Sequence, residues 1–304
     1  MAGTQESLLV SYYTVTPLHV GVGQAAGAVD LPVAKEAHTN IPYIPSTSVK
    51  GVWRDWCKTI SKDEKIIEDL FGSELELVRN QSEASEQQFK AGQLIFTEAQ
   101  LLFYPFRSLS TLYVYATCPY LLQRLQRNIT YFNYVNNFAL PEFTEDIIYA
   151  GNRNLAGQDL VIEDFLCSGL QYDAEIVELL DFIVGLCKDE FVVERLNKYF
   201  VILPDNIFIQ LLETSLPVQA RTKLTSAKTA SEYNGKKGNL WYEEYVPADT
   251  MFVSFITKRP FISRNNSDNP VEQLQNIIKQ PQMNHIQIGG NETVGYGLCL
   301  VNVK

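Results

Sequence analysis

The segment IPSTSVKGVWRDWCKTI, residues 44–60, predicts an amphipathic α-helix that begins just after a proline. Its apolar side chains recur at helical spacing on one face and are Val49, Val52, Trp53, Trp56 and Ile60. The cations Lys50, Arg54 and Lys58 step by four along the opposite face, an arrangement that is also common on helices that face only solvent. The hydroxyl groups at residues 46–48 are typical of an N-cap, so we expect the helix to span residues 46–60.

Strands and further helices surround this segment. A strand rich in apolar and aromatic residues is predicted at 8–15. The other predicted strands are 94–103, 109–116, 208–212, 241–245, 251–257, 285–288 and 296–303, with residues 104–107 joining the first two. The other predicted helices are 66–71, 119–128, 174–186, 191–200 and 271–279. The order strand, helix, strands, helix and closing strand predicts an α+β fold of ferredoxin-like units with large insertions.

The net charge of −10 is concentrated in the middle of the chain. Residues 141–194 hold 13 acidic and two basic side chains, and the remainder is close to neutral. We therefore expect an acidic helical insert at about 141–200 within a single domain of residues 1–304, whose core covers about 7–60, 92–130 and 246–304. Counterion release depends on local phosphate contacts, so a neutral body can carry a basic groove, although a solvated acidic surface explains the same counts.

Composition excludes several classes of protein. No apolar run reaches the roughly 18 residues of a membrane-spanning helix, and the first residues lack the pattern of a secretory signal. The five cysteines are scattered without a CxxC pair, as expected for free thiols in a reducing compartment. We expect a cytoplasmic protein without a membrane partner. The motifs of acyl-transfer enzymes are absent from the sequence.

Two glycine-containing loops are candidates for contact with phosphate. The loop IGGNETVGYG, residues 288–297, can present the amides of Gly289 and Gly290 to an anion, or it can be a simple hairpin. It lacks the sequence of a nucleotide-binding loop. In the N-terminal loop, His19 stands beside Gly21 and is a candidate general base, although a lone histidine is more often structural.

Asp30 lies in the loop GAVDLP, residues 27–32, between apolar neighbours. A carboxylate on an exposed excursion can bind Mg²⁺ through water or orient a ribose hydroxyl. One carboxylate alone can equally be an ordinary loop residue. The three histidines have no paired spacing, which argues against a zinc site.

A basic stretch, residues 218–238, precedes the aromatic and acidic segment WYEEY, residues 241–245. Its cations are Arg221, Lys223, Lys228, Lys236 and Lys237. Cations that follow a phosphate backbone beside rings that stack on bases are typical of RNA-binding surfaces. An amphipathic strand with Trp241 in the core fits the same residues.

Taken together, these segments resemble the RAMP superfamily. The resemblance is carried by TPLHVGVG (16–23), GAVDLP (27–32) and IPSTSVKG (44–51). The further segments Lys35-Glu36, His38-Thr39, GNLWYEE (238–244) and QIGGNETVGYG (287–297) are similar to the backbone subunit of type III-B (Cmr) CRISPR effector complexes. No such motif lies in the acidic middle of the chain.

The resemblance implies an RRM-type ferredoxin-like core, copies of which stack as a helical filament along a guide crRNA together with other Cmr subunits. It also implies a thumb-like extension, placed at about 214–245, and an endoribonuclease that cleaves target RNA beside each thumb. In that family the aspartate that matches Asp30 serves cleavage that depends on Mg²⁺ or another divalent cation, with attack by a ribose 2′-hydroxyl. His19, Glu243 and Tyr245 match positions that can support this site. The expected RNA-binding residues are Ser46, Ser48, Lys50, Arg54, Arg221, Lys223, Lys228, Trp241, Gly289 and Gly290.

Three other functions stay open on the sequence. One is a non-cleaving RAMP subunit or a type III-A backbone protein. Another is a metal-independent endoribonuclease that processes guides with His19 as its base. The third is a structural protein that docks through its acidic insert. The presence of Asp30 and of residues 238–244 favours the type III-B endoribonuclease.

Overall fold

The computed structural model describes residues 6–25, 27–73, 90–135, 138–224, 240–260, 269–279 and 284–304. The strands in this part of the chain are Ser7–Thr14 (β1), Tyr43–Ile44 (β2), Leu94–Phe96 (β3), Ala99–Ser108 (β4), Leu112–Thr117 (β5), Tyr149–Ala150 (β6), Leu160–Ile162 (β7), Phe165–Cys167 (β8), Gln171–Tyr172 (β9), Phe200–Ile202 (β10), Val218–Thr222 (β11), Leu240–Glu244 (β12), Met251–Lys258 (β13), His285–Gln287 (β14) and Leu298–Val303 (β15). The α-helices are Ser46–Ile60 (α1), Glu64–Phe71 (α2), Pro119–Tyr131 (α3), Glu175–Gly185 (α4), Glu190–Tyr199 (α5), Asp205–Ser215 (α6) and Pro270–Ile278 (α7). The predicted α+β class is confirmed, and so is the predicted helix at 46–60. None of these helices is both long and apolar enough to cross a membrane.

A mixed sheet runs through the structure in the order β14-β15-β1-β13-β4-β5-β10-β6-β9. Its central strands β15, β1, β13 and β4 pair antiparallel with their neighbours. Every residue of β1 is buried. A strand covered on both faces needs apolar residues on both sides, which explains why the sequence of β1 does not alternate between apolar and polar.

The two faces of β1 contribute to two separate cores. Leu8, Val10 and Tyr12 pack with Trp53 of α1 in the first core. The next residues along the strand, Leu9 and Tyr13, belong to a second core together with apolar residues of α3, α4 and α5. The acidic segment of the sequence therefore supplies a cover for the second face of the sheet.

The acidic charge of that segment lies on the outside of its helices. In α4, Ile176, Leu179 and Ile183 are buried, whereas Glu175 and Glu178 are exposed. The segment is not wholly helical as predicted, because the short strands β6 to β9 occupy residues 149–172. The acidic side chains of this segment thus lie on a face exposed to solvent, and the rest of the chain has a net charge close to zero.

The prediction that residues 104–107 join two separate strands is wrong. These residues lie inside β4, where Pro105 stands opposite Tyr115 of β5. The pairing of β4 with β13 ends at Phe103. On that side β7 pairs with β4 only at Ser108, so no described strand is paired with Pro105 there. A strand tolerates proline where no neighbour needs a hydrogen bond from its nitrogen.

The strand predicted at residues 208–212 is also wrong. The segment lies in helix α6, whose buried residues are Phe208, Leu211 and Leu212. A short apolar run does not by itself distinguish a strand from a helix. The spacing of three and four residues between these buried side chains corresponds to one face of a helix.

The C-terminal glycine-rich loop packs against the segment that follows β1. The Gly290 amide donates to the His19 carbonyl oxygen at 2.9 Å, and the Gly297 amide donates to the Pro17 carbonyl oxygen at 2.7 Å. Gly289 has a φ of +79°, and a Cβ atom at this position would lie 2.3 Å from the His19 carbonyl oxygen. Both the backbone conformation and the close approach therefore require glycine at residue 289.

We expect Gly289→Ala to lower the free energy of unfolding by about 1–3 kcal/mol or more, because alanine is strained at this φ and its Cβ collides with the His19 carbonyl. Gly290→Ala is the matched control, since the nearest atoms to a Cβ there lie 3.9 Å away. Its unfolding free energy should stay within about 0.5 kcal/mol of the wild type. Urea titration of both variants measures the difference, and equal losses would contradict the packing described for residue 289.

Candidate functional site

Most of the predicted site residues meet at the base of a two-stranded ribbon. Strands β11 and β12 form a separate antiparallel sheet that extends from Val218 opposite Glu244 to Thr222 opposite Leu240. Near Glu244, the N-terminal loop runs alongside the ribbon, with a bridge between Leu31 and Glu243. The glycine-rich loop contacts the same place through Asn291, whose side chain reaches Glu243.

Asp30 is held against β12 by its main chain and by one half of its carboxylate. The Asp30 amide donates to the Tyr242 carbonyl oxygen at 3.1 Å, and the Tyr242 amide donates to Asp30 Oδ2 at 2.8 Å. Among the described residues none donates a hydrogen bond to Oδ1, and Asp30 is partly exposed. One carboxylate oxygen is therefore open to a cation or to a ribose hydroxyl.

His19 is buried at the same junction, with 8% of its surface exposed. Its Nδ1 lies 2.7 Å from the Glu244 carbonyl oxygen. Because a carbonyl oxygen only accepts hydrogen bonds, Nδ1 carries a proton and Nε2 is the acceptor of the neutral ring. A Cβ at Gly21 would lie 2.8 Å from Nε2, so glycine keeps the approach to this nitrogen clear. This tautomer is the one that a general base at Nε2 requires.

Glu243 joins the ribbon to the glycine-rich loop. Its Oε1 accepts a hydrogen bond from Trp241 Nε1 at 3.0 Å, and its Oε2 accepts one from Asn291 Nδ2 at 3.1 Å. Arg221 Nε forms an ion pair with Oε2 at 2.5 Å, without the angle of a hydrogen bond. The carboxylate is buried and engaged on both oxygens. Its contacts are those of a residue that orients its neighbours.

Tyr245 contributes a protonated phenol beside this network. Its ring meets that of Tyr296 edge-on, with centroids 5.7 Å apart, and the Arg221 guanidinium lies 4.8 Å from the centre of the Tyr296 ring. Burial, and after it the neighbouring Tyr296, raise the pKa of Tyr245. The hydroxyl therefore keeps its proton at neutral pH and can donate a hydrogen bond.

The start of helix α1 carries the second group of predicted residues. The N-cap is Pro45, no side chain caps the first turn, and that turn holds no acidic residue, so the predicted hydroxyl cap is wrong. The first amides of the helix are consequently left without a side-chain acceptor, a situation that favours an anion. Ser46 and Ser48 are half-buried in this turn. Burial, and after it the charge of Arg54, lower the pKa of Lys50.

A groove of about 550 Å³ opens beside this helix start. Its cations are Lys50, Arg54, Lys90 and Arg259, and no acidic side chain of the described residues lines it. Arg54 also has a structural contact, because its Nη2 donates to the carbonyl oxygens of Phe71 at 2.7 Å and Gly72 at 2.8 Å. Lys90 is ion-paired with Asp69, whereas no described acidic residue pairs with Lys50, Arg54 or Arg259. Positive charge next to free helix amides suits a ribose-phosphate backbone.

The predicted residues thus fall into two groups. Asp30, His19, Arg221, Trp241, Glu243, Tyr245, Gly289 and Gly290 form the ribbon-base site, and Ser46, Ser48, Lys50 and Arg54 form the helix-start site. Between described residues, no hydrogen bond or ion pair joins one site to the other. Lys223 is exposed next to β11, and Lys228 lies outside the described residues.

Sequence reasoning missed four residues of these sites. Glu244 and Lys35 form an ion pair of 2.7 Å at the ribbon base. The signal for Glu244 was its place in the WYEEY segment, but nothing in the sequence indicated its partner. Lys90 and Arg259 belong to no motif in the sequence and meet in the groove because β3 pairs with β13, with Leu94 opposite Lys258.

Comparison with known proteins identifies the family of the chain. The model of the RAMP superfamily matches residues 11–300. The CRISPR system Cmr endoribonuclease Cmr4 of Pyrococcus furiosus is 34% identical over 302 residues, which cover 98% of this chain and 96% of that protein.

Solved structures agree with this relationship. A crystal structure of oligomeric Cmr4 from Pyrococcus furiosus, 28% identical, superposes with a TM-score of 0.71 and covers 99% of this chain and 98% of its own. A subunit of the type III-B Cmr-beta complex bound to cognate target RNA, 18% identical, shares the fold with a TM-score of 0.72 over 99% of this chain and 98% of that chain. The chain therefore belongs to the RAMP superfamily and, within it, to the Cmr4 family.

Proposed function

We propose that this chain is a backbone subunit of a type III-B CRISPR effector complex, which binds a guide crRNA and cleaves complementary target RNA. The family relationship to a protein named as an endoribonuclease supports this function. The observation that carries the cleavage step is the arrangement of Asp30. Its loop is fixed to β12 by backbone hydrogen bonds, while Oδ1 stays open at the base of an exposed ribbon.

In the proposed reaction a target ribose 2′-hydroxyl attacks the adjacent phosphorus atom. The 2′-oxygen loses its proton, the bond from phosphorus to the 5′-oxygen breaks, and that oxygen gains a proton, which leaves a cyclic phosphate and a 5′-hydroxyl. Asp30 Oδ1 orients the attacking group, and His19 Nε2 is an acceptor for a proton. The protonated Tyr245 phenol is a hydrogen-bond donor for the phosphate or the leaving oxygen.

A divalent cation fits this site through Asp30 alone. The described residues contain no group of three or more His, Cys, Asp or Glu side chains that could hold a metal ion. Mg²⁺ commonly keeps several waters and binds through one or two carboxylates together with substrate phosphates. Asp30 Oδ1 is the ligand that this chain offers, and a cation held there would stabilise negative charge on the reacting phosphate.

We infer that the core is ferredoxin-like and that the ribbon is the base of the thumb-like segment at about 214–245. The antiparallel order β15-β1-β13-β4, with α1 following β1 and α7 following β13, supports the first inference. The exposure and separate pairing of β11 and β12 support the second. Stacking of copies into a cytoplasmic filament with other Cmr subunits is consistent with the oligomeric Cmr4 relative. In this assembly the groove beside α1 binds guide phosphates.

A second candidate function has one observation in its favour. The tautomer of His19 leaves Nε2 free as a base, which suits a metal-independent endoribonuclease that processes guides. This candidate predicts cleavage that persists in EDTA and stops when His19 is replaced. The proposed function predicts that removal of divalent cations stops cleavage.

We expect Asp30→Asn to reduce target cleavage at least 100-fold, roughly the contribution of a positioned catalytic group, while guide and target binding stay unchanged. Asparagine keeps an acceptor for the Tyr242 amide, so the loop retains its attachment and only the charge is lost. Single-turnover cleavage by the reconstituted complex, with Mg²⁺ and with EDTA, measures the effect. Undiminished cutting by the assembled variant would move catalysis away from Asp30.

We expect Lys50→Ala to weaken guide binding and to lower the slope of log Kd against log salt concentration by about 1, as for the loss of one phosphate contact. Arg54 is left intact because it also holds the carbonyl oxygens at the end of α2. Lys198→Ala on the exposed face of α5 is the control and should leave the slope as it is. An unchanged slope for Lys50→Ala would remove the start of α1 from the RNA path.

A further inference from the structure

We propose that Glu244 and Lys35 act together as positioning residues that hold the Asp30 loop, and with it the open carboxylate oxygen, in the geometry for cleavage. This inference rests on the proposed role of Asp30. Neither residue needs to touch RNA. Their effect would be exerted through the backbone of residues 31–35 and through the ring of His19.

Glu244 contacts every second residue of the loop after Asp30, namely Leu31, Val33 and Lys35. Its amide donates to the Leu31 carbonyl oxygen at 3.0 Å. Its Oε2 accepts a hydrogen bond from the Val33 amide at 3.1 Å, and its Oε1 accepts one from Lys35 Nζ at 2.7 Å. Main chain and side chain of one residue thus contact three of the five residues that follow Asp30.

The same residue also orients His19. The Glu244 carbonyl oxygen is the acceptor that sets the tautomer of the histidine, 2.7 Å from Nδ1. Movement of Glu244 would therefore displace the supports of both groups at once. Glu244 thus contacts His19 itself and the loop that carries Asp30. The side-chain contacts of Glu243 are instead with Trp241, Asn291 and Arg221.

The alternation of side-chain direction along β12 gives the two neighbouring glutamates different partners. Successive side chains of a strand point to opposite faces. Glu243 consequently faces the glycine-rich loop, and Glu244 faces the loop that carries Asp30. The ribbon is therefore attached to one loop on each face, and the attachment to the Asp30 loop includes a charge pair.

Because the Glu244 side chain is charged, its contact with the Asp30 loop depends on the cation of Lys35. The Glu244 side chain is 8% exposed, whereas that of Lys35 is 27% exposed. A buried carboxylate that loses its cation is left uncompensated and tends to move toward water. Such a movement of the Glu244 carboxylate would displace the Val33 amide. If the charge of Glu244 is removed instead, the Lys35 side chain can still reach solvent.

The far end of the loop has its own anchor. Glu36 forms a buried salt bridge with Arg124 of α3. The loop is thus attached to helix α3 at Glu36, which follows Lys35, and to β12 at residues 30 and 31, which precede it. Between these two anchors, Ala34 is held by backbone hydrogen bonds to Val20 and Tyr43. The Glu244 side chain adds the contacts to the Val33 amide and to the Lys35 ammonium group.

The test is a double-mutant cycle in the reconstituted complex. We expect Lys35→Met to lower the single-turnover cleavage rate about tenfold, since a small misplacement of a catalytic group is costly, with target affinity within about twofold of wild type. Adding Glu244→Gln should restore part of the rate, because the amide oxygen still accepts from the Val33 amide and needs no cation. If Lys35 and Glu244 only stabilise the fold, the double variant is expected to cleave no faster than the slower of the two single variants.

Two further variants complete the design. Lys35→Arg keeps the ion pair and should cut within about twofold of wild type. Glu163→Gln is the matched control, because Glu163 likewise accepts one backbone hydrogen bond, from the Arg107 amide at 2.9 Å, and pairs with one cation, Arg107, and neither residue belongs to the ribbon-base site. Its cleavage rate should equal that of the wild type. If Lys35→Met does not assemble, Lys35→Gln carries the same comparison.

The outcomes separate this inference from the function on which it rests. A wild-type complex that does not cut, or an Asp30→Asn complex that does, overturns the proposed function itself. Loss of cutting in Asp30→Asn together with wild-type rates in Lys35→Met overturns only the positioning role. A double variant no faster than Lys35→Met has the same consequence.

Discussion

The site depends on the contact between residues 30–31 and strand β12. Tyr242 exchanges hydrogen bonds with Asp30 through both its amide and its carbonyl oxygen, and Glu244 continues the contact through Leu31. Backbone hydrogen bonds of this kind fix a loop without using side chains that chemistry needs. The ribbon that we infer to be the base of the thumb is thereby coupled directly to the carboxylate, so a movement of one would be transmitted to the other.

The sheet explains how an acidic protein can offer a surface to RNA. Because β1 is buried on both faces, the second face needs a cover, and the helices α4 and α5 provide it with their apolar sides. Their acidic residues point to solvent. The negative charge is thus displaced from the groove beside α1, whose described lining is basic. Net charge measured over the whole chain says little about such a groove.

The sequence was most informative where local pattern and tertiary environment agree. Helix α1 has one apolar face and was predicted to the residue, whereas its cap was not, because Pro45 occupies the position expected for a hydroxyl. Asp30, His19 and Glu243 could be proposed from motifs that resemble a family. Lys35 could not be paired with Glu244, and Lys90 could not be placed beside Arg259, since each of these contacts joins residues far apart in the chain. Segment 208–212 failed because four or five apolar residues fit either period.

The hydrogen bond that positions Asp30 also limits what it can do. With Oδ2 committed to the Tyr242 amide, only Oδ1 is open, so the carboxylate offers one oxygen to a cation or to a hydroxyl. A single ligand binds Mg²⁺ weakly unless phosphate oxygens of the RNA complete the coordination. Cleavage by such a site must therefore draw much of its rate from the geometry in which the RNA is held, and a few tenths of an ångström in the Asp30 loop then become important. That requirement gives a physical reason for fixing the loop with a buried charge pair as well as with backbone hydrogen bonds.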